Sequence, residues 1–173
     1  CFGFVELDGE PEVMFDVLIV GAGPSGLSCV IEAKKAGLSV LVLDKGGIVD
    51  AIRRFPSDLI WFSTPELLEI GNVPFVIPTV RPTRVDTINY YQKVASFYHL
   101  DVRTLDGVED VVNEHDGFRV VTQKGKSYDA RNVVVATGYY DYPNRLNIPG
   151  EDLSNVAHHY REPFEFFGKD VAI

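Results

Sequence analysis

The segment FDVLIVGAGPSGLSCVIEAKKAGLSVLVLDK, residues 15–45, predicts how this chain folds. An apolar run at 17–20 stops at three glycines spaced as G-x-G-x-x-G. A helix-length segment follows, and then a second apolar run at 40–43. This order is typical of a right-handed βαβ unit with two parallel strands and a tight first turn.

The three glycines and the acid after the second run indicate a dinucleotide site. Gly21 permits the sharp turn, Gly23 lets a pyrophosphate approach bare backbone, and Gly26 lets the helix lie close to the sheet. The free N–H groups at the helix N-terminus favour an anion. Asp44 is placed to accept a hydrogen bond from an adenosine ribose. Because its charge would repel a 2′-phosphate, the pattern favours FAD or NAD over NADP.

The rest of the chain predicts an α/β fold: a doubly wound, Rossmann-like parallel sheet with a three-stranded antiparallel β-meander covering one side. Hydrophobic periodicity and turn residues set the expected elements. Helices are predicted at 24–36, 65–70 and 83–100, parallel strands at 15–20, 39–43, 101–104 and 132–136, the meander at 108–129, and the opening of a further strand at 169–173.

Composition excludes several classes of partner. The chain has 16 basic and 25 acidic residues, a net charge of −9, and no cluster of Lys and Arg, so a nucleic-acid partner is not expected. No apolar run approaches the roughly 18 residues that a membrane span needs, and the start lacks the features of a signal peptide. The two cysteines form no disulfide framework, so a cytoplasmic location is expected.

No side chain carries the pattern of a catalytic acid, base or nucleophile, and no metal-ligand spacing occurs in the sequence. His158 and His159 are adjacent, which in an extended segment would turn them to opposite faces. Cys29 falls in the predicted phosphate-binding helix among small and apolar residues, and we expect a buried small side chain there rather than a redox thiol.

The order of these parts resembles the two-domain flavoproteins related to thioredoxin reductase, over about residues 15–173. Longer strings are similar to the bacillithiol disulfide reductase (YpdA-like) family: KGGIVDAI, WFSTPELLEIGNVPF, RPTR before a tyrosine-bearing helix, ATGYYDYPN, and NIPGEDL leading into HHY. This resemblance implies an NAD(P)H-dependent flavin oxidoreductase with FAD as its cofactor. It also implies that NAD(P)H is bound by the full-length enzyme.

The resemblance also implies which residues line FAD. The adenine would contact the backbone of Val108, beside Asp44 and Lys45 on the ribose, and the loop 46–52 with Phe62 and Ser63 would approach the flavin end. The complete expected set is Gly21, Gly23, Pro24, Ser25, Gly26, Asp44, Lys45, Gly46, Ile52, Phe62, Ser63, Val108, Ala136, Thr137 and Gly138.

Three departures from these families qualify the function. YpdA-like proteins usually carry a cysteine in the glycine turn where this chain has Ser25, and a hydroxyl cannot form a mixed disulfide. No C-x-x-C pair of the thioredoxin reductases occurs. The chain is also short, so we expect a fragment: an N-terminal extension at 1–13, an FAD-binding domain at 14–150 without its C-terminal return, and a linker with the first strand of an NAD(P)H domain at 151–173.

The leading hypothesis is the FAD-binding part of an NAD(P)H-dependent flavin oxidoreductase of the thioredoxin/bacillithiol disulfide reductase type. It would act on a small-molecule redox substrate, with no membrane partner and with a homo-oligomer left open. The alternatives are a flavin monooxygenase, a ferredoxin–NADP reductase, or a non-catalytic dinucleotide-binding module.

Overall fold

The computed structural model describes residues 14–173, so the predicted extension at 1–13 lies outside the described residues. Six strands form one sheet in the order β3-β2-β1-β6-β5-β4. The strands are β1 (Phe15–Val20), β2 (Val40–Leu43), β3 (Val102–Arg103), β4 (Val108–Glu114), β5 (Gly117–Thr122) and β6 (Ser127–Val135). The α-helices are α1 (Pro24–Lys35), α2 (Asp50–Arg53) and α3 (Arg84–Phe97), with short 3₁₀ turns at Pro65–Leu67 and Pro163–Phe166.

Strands β1, β2, β3 and the second half of β6 are parallel, which confirms the predicted parallel sheet. β1 lies between β2 and β6. β2 ends directly before Asp44, and β6 ends directly before Ala136, Thr137 and Gly138, which form the Ala-Thr-Gly sequence. The middle residues of β1 point to opposite faces: Leu18 to one and Ile19 to the other, both fully buried. A central strand covered on both faces explains the continuous apolar run in the sequence.

The helices cover one face of the sheet, where Val30 of α1 packs with Ile19 of β1 and Val42 of β2. Leu27 and Ile31 of α1 pack with residues of α2 and α3 in the largest hydrophobic cluster, which Phe75 of the irregular segment also joins. α3 begins where the sequence predicts, because Thr83 and Asp86 form a reciprocal capping box. The predicted helix at 65–70 is only the short 3₁₀ turn.

The β-meander covers the opposite face, as predicted. Val120 of β5 packs with Leu18, Leu41 and Leu43 of the parallel strands. The hydroxyl of Tyr128 accepts a hydrogen bond of 3.0 Å from Arg103 on β3. The meander therefore folds back over the parallel strands while remaining hydrogen-bonded to them through β6.

Two expectations about strands are wrong. The third meander strand and the parallel strand at 132–136 are one continuous strand, β6, which pairs antiparallel with β5 through its first half and parallel with β1 through its second. Residues 169–173 form no strand. A strand needs a neighbour that supplies backbone hydrogen bonds, and none of the described strands pairs with this segment.

Candidate functional site

The glycine turn (residues 20–26) stands at the carboxyl end of β1, and the backbone of both neighbouring strands fixes its position. The amide of Gly21 donates to the carbonyl of Leu43 at 2.7 Å, and the amide of Ala136 donates to the carbonyl of Val20 at 2.8 Å. The loops after β2 and β6 therefore flank the turn. In open parallel sheets, this edge is where ligands bind.

The three glycines of the turn meet different surroundings. Gly21 has a positive φ of 112°, and a Cβ atom there would overlap the carbonyl of Ala136. A Cβ atom at Gly26 would overlap the carbonyl oxygen of Gly21. At Gly23, by contrast, a Cβ atom would meet nothing within 4 Å. Two glycines are thus required by contacts inside the protein, and Gly23 faces open space.

The N-terminus of α1 is free to bind an anion. Gly23 occupies the N-cap position, Pro24 is the first helical residue, and no side chain caps the helix. Ser25 is exposed at this end. Because the first amides of a helix have no partner inside it, they can donate to phosphate oxygens.

Asp44 connects the loop after β2 to the glycine turn. Its carboxylate accepts hydrogen bonds from the amide of Ala22 at 2.6 Å and from the amide of Gly46 at 2.7 Å. A carboxylate has about four lone-pair positions, so each oxygen can still accept a bond from a ribose hydroxyl. Asp44 can therefore shape the site and bind a ligand at once.

Val108 is brought near this acid by the segment after β3. The amide of Leu105 donates to the carbonyl of Gly46 at 2.9 Å, and that of Asp106 donates to the carbonyl of Asp44 at 3.1 Å. Leu105 has a positive φ of 59° and an exposed side chain. Val108 itself opens β4 and is partly buried.

The Ala-Thr-Gly sequence after β6 lies on the other side of the glycine turn. Thr137 and Gly138 are exposed, and Ala136 is partly buried. Gly138 has a positive φ of 70°, and a Cβ atom added there would meet nothing within 4 Å. The structure thus brings together the predicted residues of the glycine turn, Asp44, Gly46, Val108 and the Ala-Thr-Gly sequence.

The residues predicted to lie near the flavin end differ in how far their side chains are exposed. Phe62 is 91% exposed and Ser63 is partly buried. The side chain of Ile52 is 3% exposed, because it packs in the large hydrophobic cluster with Leu27 and Val49. Ile52 therefore anchors its loop and offers no side-chain surface to a ligand.

Val49, which precedes α2, holds an unusual conformation beside the glycine turn. It is a β-branched residue with a φ of 53°, a conformation that costs on the order of 1–3 kcal/mol. Its amide donates to the carbonyl of Ala22 at 3.0 Å, and its side chain is buried. This contact ties the loop 46–52 to the turn, and no signal in the sequence predicts it.

Sequence reasoning missed a charge cluster formed by Lys45, Asp50, Arg54 and Asp141. Asp141 is ion-paired with both Lys45 and Arg54, and Arg54 also contacts Asp50 at 2.9 Å. The hydrogen bond from Arg54, followed by that from Lys45, lowers the pKa of Asp141. The string ATGYYDYPN contains Asp141, but only its first three residues were expected in the site.

Cys29 is exposed, which contradicts the expectation of a buried side chain. The buried residues of α1 are Gly26, Leu27, Val30 and Ile31, and Cys29 falls outside that face. Among residues 14–173, no group of three or more His, Cys, Asp or Glu side chains could hold a metal ion. Within the same residues, no helix is long and apolar enough to cross a bilayer.

Comparison with known proteins establishes the family. A model described as pyridine nucleotide-disulphide oxidoreductase matches residues 18–173, so the chain belongs to this family of oxidoreductases. It is 36% identical to bacilliredoxin reductase Bdr of Bacillus subtilis over 156 residues, covering 90% of this chain and 48% of the relative. The chain thus spans about half the length of the curated relatives it matches.

Solved structures agree with this assignment. The bacillithiol disulfide reductase Bdr (YpdA) of Bacillus cereus superposes with a TM-score of 0.85 at 40% identity, over 90% of this chain and 49% of that one. A flavin monooxygenase mutant from Stenotrophomonas maltophilia gives 0.79 at 27% identity, over 88% and 48%. The predicted resemblance to YpdA-like proteins, the fold class and the oxidoreductase class are confirmed.

Proposed function

We propose that residues 14–150 form the FAD-binding domain of an NAD(P)H-dependent flavin oxidoreductase of the disulfide reductase type. In this proposal residues 1–13 are an extension, and residues 151–173 lead into an NAD(P)H domain. The open space at Gly23, between two glycines that are crowded by their own backbone, carries the proposal. A ligand that approaches the main chain would account for the absence of a side chain there.

The residues fit FAD in three places. The uncapped helix start, with the amides of Ser25 and Gly26, would hold the pyrophosphate. Asp44 would accept a bond from the ribose, and its charge disfavours a 2′-phosphate at this site. The exposed backbone of Thr137 and Gly138 would line the cofactor from the other side. Lys45 and Val108 would complete the adenosine end, while the loop 46–52, Phe62 and Ser63 would border the flavin end.

When bound, the flavin supplies the redox chemistry by accepting a hydride and passing electrons on. This chain would bind and orient it and exclude water from one side. The related Bdr proteins and the flavin monooxygenase are named for flavin or disulfide chemistry, which supports FAD over NAD in this domain. The higher identity to the Bdr proteins favours the disulfide reductase type.

We further propose that the electron acceptor is a small redox molecule and that its reduction uses no thiol at position 25. The hydroxyl of Ser25 can donate a hydrogen bond to a phosphate, but it cannot form a mixed disulfide. Among the described residues the single cysteine is Cys29, which lies on the outer side of α1. A cytoplasmic location is part of the same proposal.

The test is FAD binding by the protein expressed from its complete reading frame. We expect a yellow protein whose flavin can be removed and titrated back. Gly23→Ala should fold normally, because the space is open, and should bind FAD at least about tenfold more weakly, because the added methyl group blocks the pyrophosphate. Gln92→Ala on the exposed side of α3 is the matched control and should bind FAD normally.

Three outcomes would contradict parts of this proposal. A colourless protein that binds NAD but not FAD would favour the non-catalytic module. Equal FAD affinity of wild type and Gly23→Ala would remove the glycine turn from the site. Substrate-dependent oxygen consumption driven by NADPH, without turnover of any disulfide, would favour the monooxygenase.

A further inference from the structure

Asp141 is the centre of the charge cluster and lies three residues after Gly138. Its side chain is 19% exposed and is ion-paired with two cations from a distant part of the chain, Lys45 and Arg54. Lys45 directly follows Asp44, and Arg54 follows α2. One carboxylate therefore holds both ends of the segment from Lys45 to Arg54, which contains α2.

Aromatic contacts support the same position. The hydroxyl of Tyr140 donates to the carbonyl of Arg54 at 3.1 Å. Its ring meets Phe55 edge-on with centroids 4.7 Å apart, lies 4.5 Å from the ring of His159, and has the guanidinium of Arg54 5.7 Å from its centroid. Isolated surface ion pairs contribute little, but the two pairs of Asp141 belong to a partly buried network that includes the contacts of Tyr140 with Arg54 and Phe55.

The ion pairs join the two loops that border the glycine turn. Because β1 lies between β2 and β6, a contact from the loop after β6 to the loop after β2 must pass the end of β1. This is the edge at which the proposed FAD site lies. The width of the site between Asp44 and the Ala-Thr-Gly sequence therefore depends on how far apart the two loops are held.

We propose that Asp141 is a positioning residue for the dinucleotide: by holding Lys45 and Arg54, it fixes the loop of Asp44 relative to the Ala136–Gly138 backbone before the cofactor binds. This inference rests on the proposed FAD site. A negative charge would repel a diphosphate directly, so Asp141 acts through the cations it holds. The side chain of Lys45 is 55% exposed. Without Asp141 this side chain would become ordered only when the dinucleotide binds, and the entropy lost in ordering it would weaken binding.

The test compares Asp141→Asn with Asp152→Asn in the protein expressed from its complete reading frame. Asp152 forms an exposed ion pair with Arg145, so the control removes a similar charge away from the site. We expect Asp141→Asn to raise the Kd for FAD about tenfold and to speed FAD release, because the site is no longer preorganised. Asp152→Asn should bind FAD as wild type does.

Two further variants separate positioning from a general loss of stability. Asp141→Glu keeps the charge and should recover most of the FAD affinity at an unchanged thermal midpoint of the apoprotein. In the double variant Asp141→Asn with Arg54→Met, the losses of affinity should not add, because both substitutions break one network. Additive losses, or Asn and Glu variants that both fail to fold, would overturn the proposal in favour of an ordinary structural role.

The outcomes also separate this inference from the proposed function. Wild-type protein that binds no FAD contradicts both. Wild-type protein that binds FAD tightly, together with an Asp141→Asn variant of equal affinity and equal release rate, contradicts only the role of Asp141.

Discussion

The glycine turn and the charge cluster border the same crevice but are held in different ways. The turn is fixed by main-chain contacts: hydrogen bonds from both neighbouring strands, and two glycines that lie against carbonyl groups. The charge cluster is fixed by side chains from residues almost a hundred positions apart, such as Lys45 and Asp141. A change at either of these two glycines should therefore act mainly on folding, whereas a change in the cluster should act mainly on binding by a folded protein.

The largest effect is expected from Gly26→Ala. The added Cβ atom would overlap the carbonyl oxygen of Gly21, and that backbone is held by β2. We expect the free energy of unfolding to fall by about 3 kcal/mol, the upper part of the usual range for overpacking. Urea denaturation measures it, with Gly23→Ala as the control, which should lose at most about 1 kcal/mol. Similar losses in the two variants would show that the turn is not fixed by these contacts.

A smaller effect, on binding as well as folding, is expected from Asp44→Ala. We expect FAD binding to weaken by about 1–3 kcal/mol, the usual cost of losing a hydrogen bond to a charged group. The unfolding free energy should fall too, because the amides of Ala22 and Gly46 lose their acceptor. Calorimetric titration of FAD into the apoprotein measures the FAD affinity, and urea denaturation measures the unfolding free energy. Unchanged FAD affinity together with a lower unfolding free energy would show that Asp44 stabilises the loops of the site but does not bind FAD.

The charge cluster should be sensitive to acid. The pKa of Asp141 is lowered by Arg54 and then Lys45, so its stabilising contribution is fully present above the ordinary value of 3.8 and is lost as the pH falls through the lower folded value. The stability difference between wild type and Asp141→Asn, on the order of 1 kcal/mol at pH 7, should therefore shrink below about pH 4. A difference that stays constant down to pH 2 would contradict this.

The smallest effect is expected at Cys29, which belongs to neither region. Because its side chain is exposed, Cys29→Ser should change the unfolding free energy by less than about 0.5 kcal/mol. The thiol of the wild type should react with a thiol reagent in the native state, with no change in FAD affinity. Protection of the thiol by bound FAD would place Cys29 closer to the site than the structure does.

Local sequence patterns predicted the glycine turn and the strands and helix beside it. These patterns are the glycine spacing, the apolar run before it and Asp44 after β2. Each involves residues that are close together in the sequence, as does the capping box of Thr83 and Asp86 that marks the start of α3. Contacts between distant residues have no such signature. The pairing of Asp141 with Lys45 and the strained backbone of Val49 depend on how three loops meet, so the sequence could not reveal them.

Two of the predictions fail for physical reasons. The continuous strand β6 was divided in two because its first half alternates beside a hairpin, while its second half is apolar beside β1. The burial of Cys29 was expected from its apolar neighbours in the sequence. The face of a helix, however, follows a period of 3.6 residues, and this position falls outside the buried face that includes Gly26 and Val30.

The double pairing of β6 has a consequence for how the molecule opens. Ala130 is paired with Phe15 of β1 on one side and with Phe118 of β5 on the other. If the hairpin of β4 and β5 detaches transiently, the part of β6 beyond Asn132 keeps its bonds to β1. Native-state hydrogen exchange should therefore divide this single strand: amides of residues 127–129 exchange through local opening, and those of 133–135 exchange only when the parallel sheet itself unfolds.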